Sequence, residues 1–326
     1  MPGTYKPPYY TRSAVLFLIF NRPDTTQKVF EQIRQAKPPK LYIAADGPRA
    51  NRSADVALCS KAREIVKQVD WECELKTNFR IENAGCKEGV SSAVSWFFEQ
   101  EEEGIILEDD CVPANSFFLF CDTLLEKYRF DDRVRHITGC NLQQGRKWGS
   151  ATYYFSNMTH VWGWAGWKRV WKDYDKHLGK FDKQDMMARL QDIFDDAAVV
   201  ESYTKIFDEV KAGNIDAWGY QLDFANFFHK GLTIIPNQNL VSNIGFRADA
   251  THTLDSDSIY AGIPVNEIYE IISPEIMRAE KQAESVILSH VFKSLPPENR
   301  DRNWLRKVRK KARSILKTAA ALLLFG

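Results

Sequence analysis

Short apolar runs alternate with helical patterning through the first half of the chain. Ala14 to Phe20 is continuously apolar, as expected of a strand covered on both faces, and it stops at Asn21-Arg22-Pro23-Asp24. Thr25 to Gln35 then reads as a helix, with Asp24 placed to cap it. Leu41 to Ala45 predicts the next strand, ended by the turn Asp46-Gly47-Pro48, and Ser53 to Val69 predicts a second helix. A third strand is expected around Cys73 to Thr77, then a loop through Asn83-Ala84-Gly85-Cys86-Lys87, then a helix from Val90 to Gln100. Gly104 to Leu107 is a short buried strand that runs into Glu108-Asp109-Asp110. Ser116 to Tyr128 carries Phe117, Phe118, Phe120, Leu124 and Leu125 at helical spacing, and His136 to Asn141 reads as another strand and exit loop. This alternation is the signature of βαβ units, so the expected class is α/β, a mostly parallel sheet flanked by helices.

After about Gly145 the chain turns to aromatic-rich, irregular segments and longer helices. Leu178 to Ala212 reads as helical, and Gly231 to Ile235 returns to a strand before the loop Asn237 to Thr253. The expected organisation is therefore an α/β half over residues 1–145, a second half of the same domain over 146–260, and a C-terminal extension over 261–326. Hydrophobic residues at 44% and charged residues at 27% are ordinary globular values, which exclude disorder through most of the length.

The net charge of +1 conceals an asymmetry. Arg300 to Gly326 holds nine basic residues against one acid, a net of +8, so the rest of the chain carries −7. A body of that sign repels polyanions, which argues against nucleic acid as a partner of its main surface. From Trp304 to Phe325 the sequence is first basic with interleaved apolar residues, then wholly apolar from Ala319. That pattern predicts an amphipathic helix on an anionic membrane surface, each Lys or Arg contributing on the order of 1 kcal/mol near the lipid. Nucleic-acid binding and a merely solvated tail are its competitors, and the apolar end is too short to span a bilayer. The six cysteines form no C-x-x-C pair and have no His at zinc spacing. With no signal-peptide pattern at the amino terminus, the expected setting is cytoplasmic, peripheral on the inner face of the cell membrane.

Three consecutive acids at the carboxyl end of a buried strand are the most informative feature. Packing like charges together costs energy unless a cation neutralises them. Ligands of open α/β sheets bind outside the strands' carboxyl ends, and oxygen-only donors favour a hard ion such as Mg²⁺ or Mn²⁺, with positions left for phosphates. The competing reading is a solvated acidic turn, since Glu99, Glu101, Glu102 and Glu103 make the neighbourhood acidic anyway. Placement directly after Ile105-Ile106-Leu107 favours the metal.

Gly104-Ile-Ile-Leu-Glu-Asp-Asp-Cys-Val-Pro113, followed by Phe117-Phe118 and a helix, resembles the Glu-Asp-Asp motif of the N-acetylglucosaminyltransferase I family, whose fold is GT-A. Phe20-Asn21-Arg22, Ala45-Asp46-Gly47, Gly163-Trp164-Ala165-Gly166-Trp167 and Asn243-Ile-Gly-Phe246 with Ala250-Thr251-His252 resemble further segments of that family in the same order. The arrangement is similar, more closely still, to bacterial nucleotide-diphospho-sugar transferase-like proteins, some labelled haemolysin-like. The membrane anchor, stem and disulfide pattern of the Golgi enzymes are not expected here.

The resemblance implies a UDP-sugar donor, Mn²⁺ or Mg²⁺ as cofactor, and inverting transfer of a hexose or N-acetylhexosamine to a glycan or lipid-linked glycan. Asp110 would be the metal ligand, Asp109 would bind the ribose, and Glu108 would reach donor-sugar hydroxyls. Arg22 would pair with the diphosphate in a fork geometry, Asp46 would accept from the uracil imide, and Lys87 is a weaker candidate for the same pocket. Thr251 and His252 would cover the phosphates. Inverting transfer needs a general base, which the family's pattern places at Asp216; Asp173, Asp175 and Asp223 are its competitors. Trp162, Trp164, Trp167, Trp171 and Trp218 either stack on sugar rings or pack a core; Trp164 is assigned to the donor site, Trp167 and Trp171 to the core. Two rivals stand beside this reading: a Mg²⁺-dependent phosphohydrolase and a non-catalytic membrane-associated protein. A dinucleotide-binding dehydrogenase is disfavoured, since no G-x-G-x-x-G follows the first strand.

Overall fold

The structure is a computed structural model that describes residues 7–246 and 258–292. β1 (Val15–Ile19) is buried along its whole length and lies inside the sheet, between two parallel neighbours. On one side β2 (Lys40–Ala45) pairs with it, Val15 opposite Leu41, and β3 (Glu74–Phe79) pairs in turn with β2. On the other side lies β4 (Glu103–Glu108), with Leu18 opposite Glu108. The order β3-β2-β1-β4 means that the chain builds outward from β1 and then returns to its opposite flank. A crevice at the carboxyl ends of β1 and β4 follows from that reversal.

The same sheet continues past residue 145. β8 (Trp164–Trp167) runs antiparallel to β4 and to β6 (Val134–Thr138), β9 (Leu232–Pro236) is parallel to β6, and β7 (Tyr153–Ser156) closes the edge antiparallel to β9. Among the described residues this makes one 8-stranded, mostly parallel sheet, with β8 and β7 running against the rest. A separate two-stranded ladder joins β5 (Cys111–Pro113) to β10 (Val241–Asn243).

Helices α1 (Pro23–Ala36), α2 (Ser53–Arg63), α3 (Gly85–Gln100) and α4 (Asn115–Tyr128) connect the parallel strands, giving the expected α/β class. The short α5 (Lys168–Trp171) follows β8. Helix α6 (Lys183–Ile193) packs on α7 (Ala197–Lys211) and α8 (Gly219–Phe228), and α7 meets α8 through Tyr203, Phe207, Phe224 and Phe227, whose rings meet edge-on or tilted. Each such buried ring contributes about 2 to 3 kcal/mol by area. The last described helix, α9 (Lys281–Phe292), contacts β7.

Several boundaries differ from the pattern-based reading. α1 begins at Pro23, with Arg22 rather than Asp24 in the cap position, because proline's fixed φ suits the first helical residue. The second helix stops at Arg63 and continues as a 3-10 turn over Glu64–Gln68. The stretch read as one helix from Leu178 to Ala212 is two, because Asp182 and Asp196 each cap a new start, accepting from the N–H groups of Asp185 and Ala198. α3 begins at Gly85, inside the expected loop. Thr251, His252 and the amphipathic pattern from Trp304 to Phe325 lie outside the described residues. Among the described residues no helix is long and apolar enough to cross a membrane.

Candidate active site

β4 ends in Glu108, and Asp109 and Asp110 form the turn before β5, so three carboxylates leave one strand at the crevice. The end of β1 meets them. The N–H of Phe20 donates to Asp109 Oδ2 at 3.0 Å, and Arg22 Nη1 lies 2.6 Å from Asp110 Oδ2 and 3.7 Å from Asp109 Oδ1.

One guanidinium thus faces three closely spaced carboxyl groups. Burial raises the Glu108 carboxyl well above the usual range, and repulsion from Asp110 and Asp109 adds to it against the pull of Arg22. Burial likewise raises Asp109 to about 7, with Arg22 opposing the rise. Glu108 is only 9% exposed, and its Oε1 is buried without a hydrogen-bond partner, a condition that costs about 1 to 3 kcal/mol until something donates to it. This all-oxygen set fits a hard cation or ligand hydroxyls. Among the described residues no three His, Cys, Asp or Glu side chains form a cage. A cation here would therefore draw most of its ligands from water or phosphate, as Mg²⁺ sites commonly do.

β10 brings backbone against the same turn. The N–H of Ile244 donates to the Asp110 carbonyl at 2.9 Å, and a Cβ on Gly245 would lie 2.0 Å from Asp110 Oδ2. Only glycine fits there without displacing the carboxylate.

The acidic turn, Phe20 and Arg22 line one cavity of about 270 Å³. Of the residues singled out from the sequence, it brings together Arg22, Asp46, Glu108, Asp109, Asp110 and Asp216. Asp46 and Asp216 meet at the start of α3. Asp46 accepts from the N–H groups of Gly47, Ala84 and Gly85 and from Asn83 Nδ2, while Asp216 Oδ1 accepts the N–H of Lys87 at 3.0 Å. The first N–H groups of a helix have no partner of their own and attract anions. Both oxygens of Asp46 are thus engaged in holding a loop, a different task from the base contact expected of it. Lys87 contributes its backbone amide, and its side chain is not part of the cavity wall.

Trp164 stands apart from the cavity. It is 2% exposed and stacks on Trp218 at 6.0 Å, Trp171 at 6.3 Å and His136 at 5.2 Å. The expectation that it faces the donor is corrected on this point: β8 lies between β4 and β6 with all its residues buried, so its tryptophans are core. The competitors of Asp216 are also placed elsewhere. Asp173 pairs with Arg135, Asp175 accepts from the N–H groups of His177 and Lys180, and Asp223 is buried against Thr159.

Arg49, Arg80 and Cys86 line the cavity without having been singled out. Arg49 forks onto Asp55, with Nε 2.5 Å from Oδ2 and Nη2 2.9 Å from Oδ1, and Asn21 joins the same carboxylate at 2.9 Å. Asp55 thereby ties the loops after β1 and β2 together, and its carboxyl is lowered to about 2, chiefly by Arg49. Arg80 follows β3 and donates to Ser92 Oγ at 2.7 Å. Both arginines follow the carboxyl end of a parallel strand, as Arg22 does, and that shared position is the signal by which they were findable. The Cys86 thiol is pushed well up by burial and by the carboxylates of Glu108, Asp216 and Asp46.

No family model matches the chain, and no curated protein matches it. Among solved structures it is similar to HddC from Yersinia pseudotuberculosis, at 10% identity over 52% of this chain and 87% of that one, TM-score 0.31. It is similar also to S. aureus TarS 1-349, at 12% identity over 51% of this chain and 49% of that one, TM-score 0.32. A third is a UDP-glucose pyrophosphorylase complexed with UDP-glucose, at 10% identity over 50% of this chain and 78% of that one, TM-score 0.31.

Proposed function

We propose that the chain is a metal-dependent glycosyltransferase that uses a UDP-sugar and inverts the anomeric centre, with a glycan or lipid-linked glycan as acceptor. One observation carries the reading: three carboxylates at the end of β4 share a cavity with Arg22 and Asp216 at the reversal point of a mostly parallel sheet. Asp110 would hold Mn²⁺ or Mg²⁺, which when bound supplies Lewis-acid neutralisation of the leaving diphosphate. Arg22 adds a second positive charge against the phosphates, and Glu108 Oε1 accepts from a donor-sugar hydroxyl. Asp216 is the general base. Lys87 fixes its Oδ1, and Oδ2 takes the acceptor hydroxyl's proton while the acceptor oxygen bonds to the anomeric carbon and the bond to the diphosphate breaks. The basic C-terminal segment would hold the protein against anionic lipid.

A thermal-shift screen of UDP-sugars tests this. A donor at a hundredfold its Kd should stabilise the fold by about 2.7 kcal/mol, only with Mn²⁺ or Mg²⁺ present. Phosphate release from simple phosphoesters without donor-dependent stabilisation would point to the phosphohydrolase instead.

A further inference from the structure

We propose that Tyr174 is a positioning residue for Asp216, part of a brace that holds the proposed base against the start of α3; the inference rests on the glycosyltransferase reading. Asp216 lies in the loop between α7 and α8, and its Oδ1 accepts the Lys87 N–H at 3.0 Å. That single bond leaves the start of α8 free to shift against α3 unless something else joins the two. The loop after α5 supplies the joint. Tyr174 Oη donates to the carbonyl of Trp218, two residues past Asp216, at 3.0 Å, and Gln221 Nε2 donates to the Lys176 carbonyl at 3.2 Å. The same loop reaches α3, because Lys176 Nζ pairs with Glu88, and Trp171 just before it donates its indole N–H to Ser95 Oγ at 2.9 Å. Its third anchor is β6, where the buried Arg135 lies 2.5 Å from Asp173.

Aromatic stacking sets the direction of the Tyr174 hydroxyl. The ring lies on Trp171 at 4.2 Å and 11°, and Trp171 continues the stack through Trp164 to Trp218, at 6.3 and 6.0 Å. Trp218 is thus held twice from one direction, by its carbonyl and by its ring. Burial raises the Tyr174 phenol above its ordinary range, so it stays protonated wherever a carboxylate base is ionised, and the bond to Trp218 persists through the working pH of Asp216. Trp218 and Gln221 are both fully buried, which shields the brace from competing water. Displacing a reacting group by about 1 Å can cost on the order of a hundredfold in rate. Losing one hydrogen bond while the stack remains should cost less.

Tyr174→Phe keeps the ring and removes the donated bond. In the full chain with Mn²⁺ and saturating donor it should lower kcat roughly tenfold and leave KM for the donor within about twofold. Exchange of the Lys87 amide hydrogen should quicken roughly tenfold, while the amides of β1 keep their wild-type rates. Combined with Asp216→Asn, Tyr174→Phe should cost no further activity, because its effect passes through that carboxylate. Lys176→Met, which unties the same loop from Glu88, should move kcat and Lys87 exchange in the same direction and serves where Tyr174→Phe does not fold. Unchanged Lys87 exchange in the folded variants would overturn the proposal, as would losses that multiply in the double variant. Absence of sugar transfer by wild type would sink the glycosyltransferase reading instead, and the exchange rates, which need neither donor nor turnover, would still decide whether Tyr174 holds Asp216 in place.

Discussion

Asp223 and Glu108 are both buried carboxyls, and their neighbours separate a structural acid from a poised one. Asp223 Oδ1 accepts from both the N–H and the hydroxyl of Thr159, and burial still raises its carboxyl to about 7. Glu108 keeps an oxygen with no partner. For Asp223 the folded state holds a proton that the unfolded state releases near 3.8. Its contribution to stability is therefore full below that value and is lost as pH rises through about 7. Asp223→Asn keeps the acceptor oxygen and removes the titration. Urea melts at pH 5 and pH 8 should show wild type losing more stability with rising pH than the variant, by about 2 to 3 kcal/mol; equal slopes would mean that Asp223 is ionised in the fold. The acidic triplet was legible because its hydrophobic approach and its charge are contiguous in sequence. Trp164 was misplaced for the opposite reason, since an aromatic residue carries no mark of which face it covers until β4 and β6 are known to flank its strand.

At the scale of elements, β1, β2, β4 and α4 were readable from continuous or periodic apolar runs, whereas the start of α3 was not. Its cap is tertiary: Asp46 reaches Ala84 across 38 positions and Asp216 reaches Lys87 across 129. No local pattern encodes such a pairing. It also gives Asp216 two tasks, helix cap and proposed base, and these can be separated. Asp216→Asn retains an oxygen for the Lys87 N–H and should keep the melting temperature while lowering transfer at saturating donor by roughly a hundredfold or more. Asp216→Ala should in addition cost about 1 kcal/mol of stability, the usual loss of a cap. Near-normal turnover in Asp216→Asn would move the proton acceptor elsewhere.

Across the whole molecule, the reversal of strand order after β3 turns separate loops into one site. Arg22, Arg49 and Arg80 follow β1, β2 and β3, the acids follow β4, and all face the same cavity. Strand order depends on which flank of β1 receives β4, which amphipathic pattern alone does not specify, so the acidic motif was visible before its basic partners were. β10 then draws Gly245 onto Asp110, coupling the acidic turn to a segment more than 130 positions later in the chain. The proposed function requires this turn to gather a divalent cation that holds a nucleoside diphosphate. Calorimetric titration of UDP into the full chain, with and without Mn²⁺, tests it most directly when repeated on Asp110→Asn. Saturable binding by wild type is expected only with the metal, and is lost in a variant that remains folded. Undiminished, metal-independent binding by Asp110→Asn, or no binding by wild type in either condition, would contradict it.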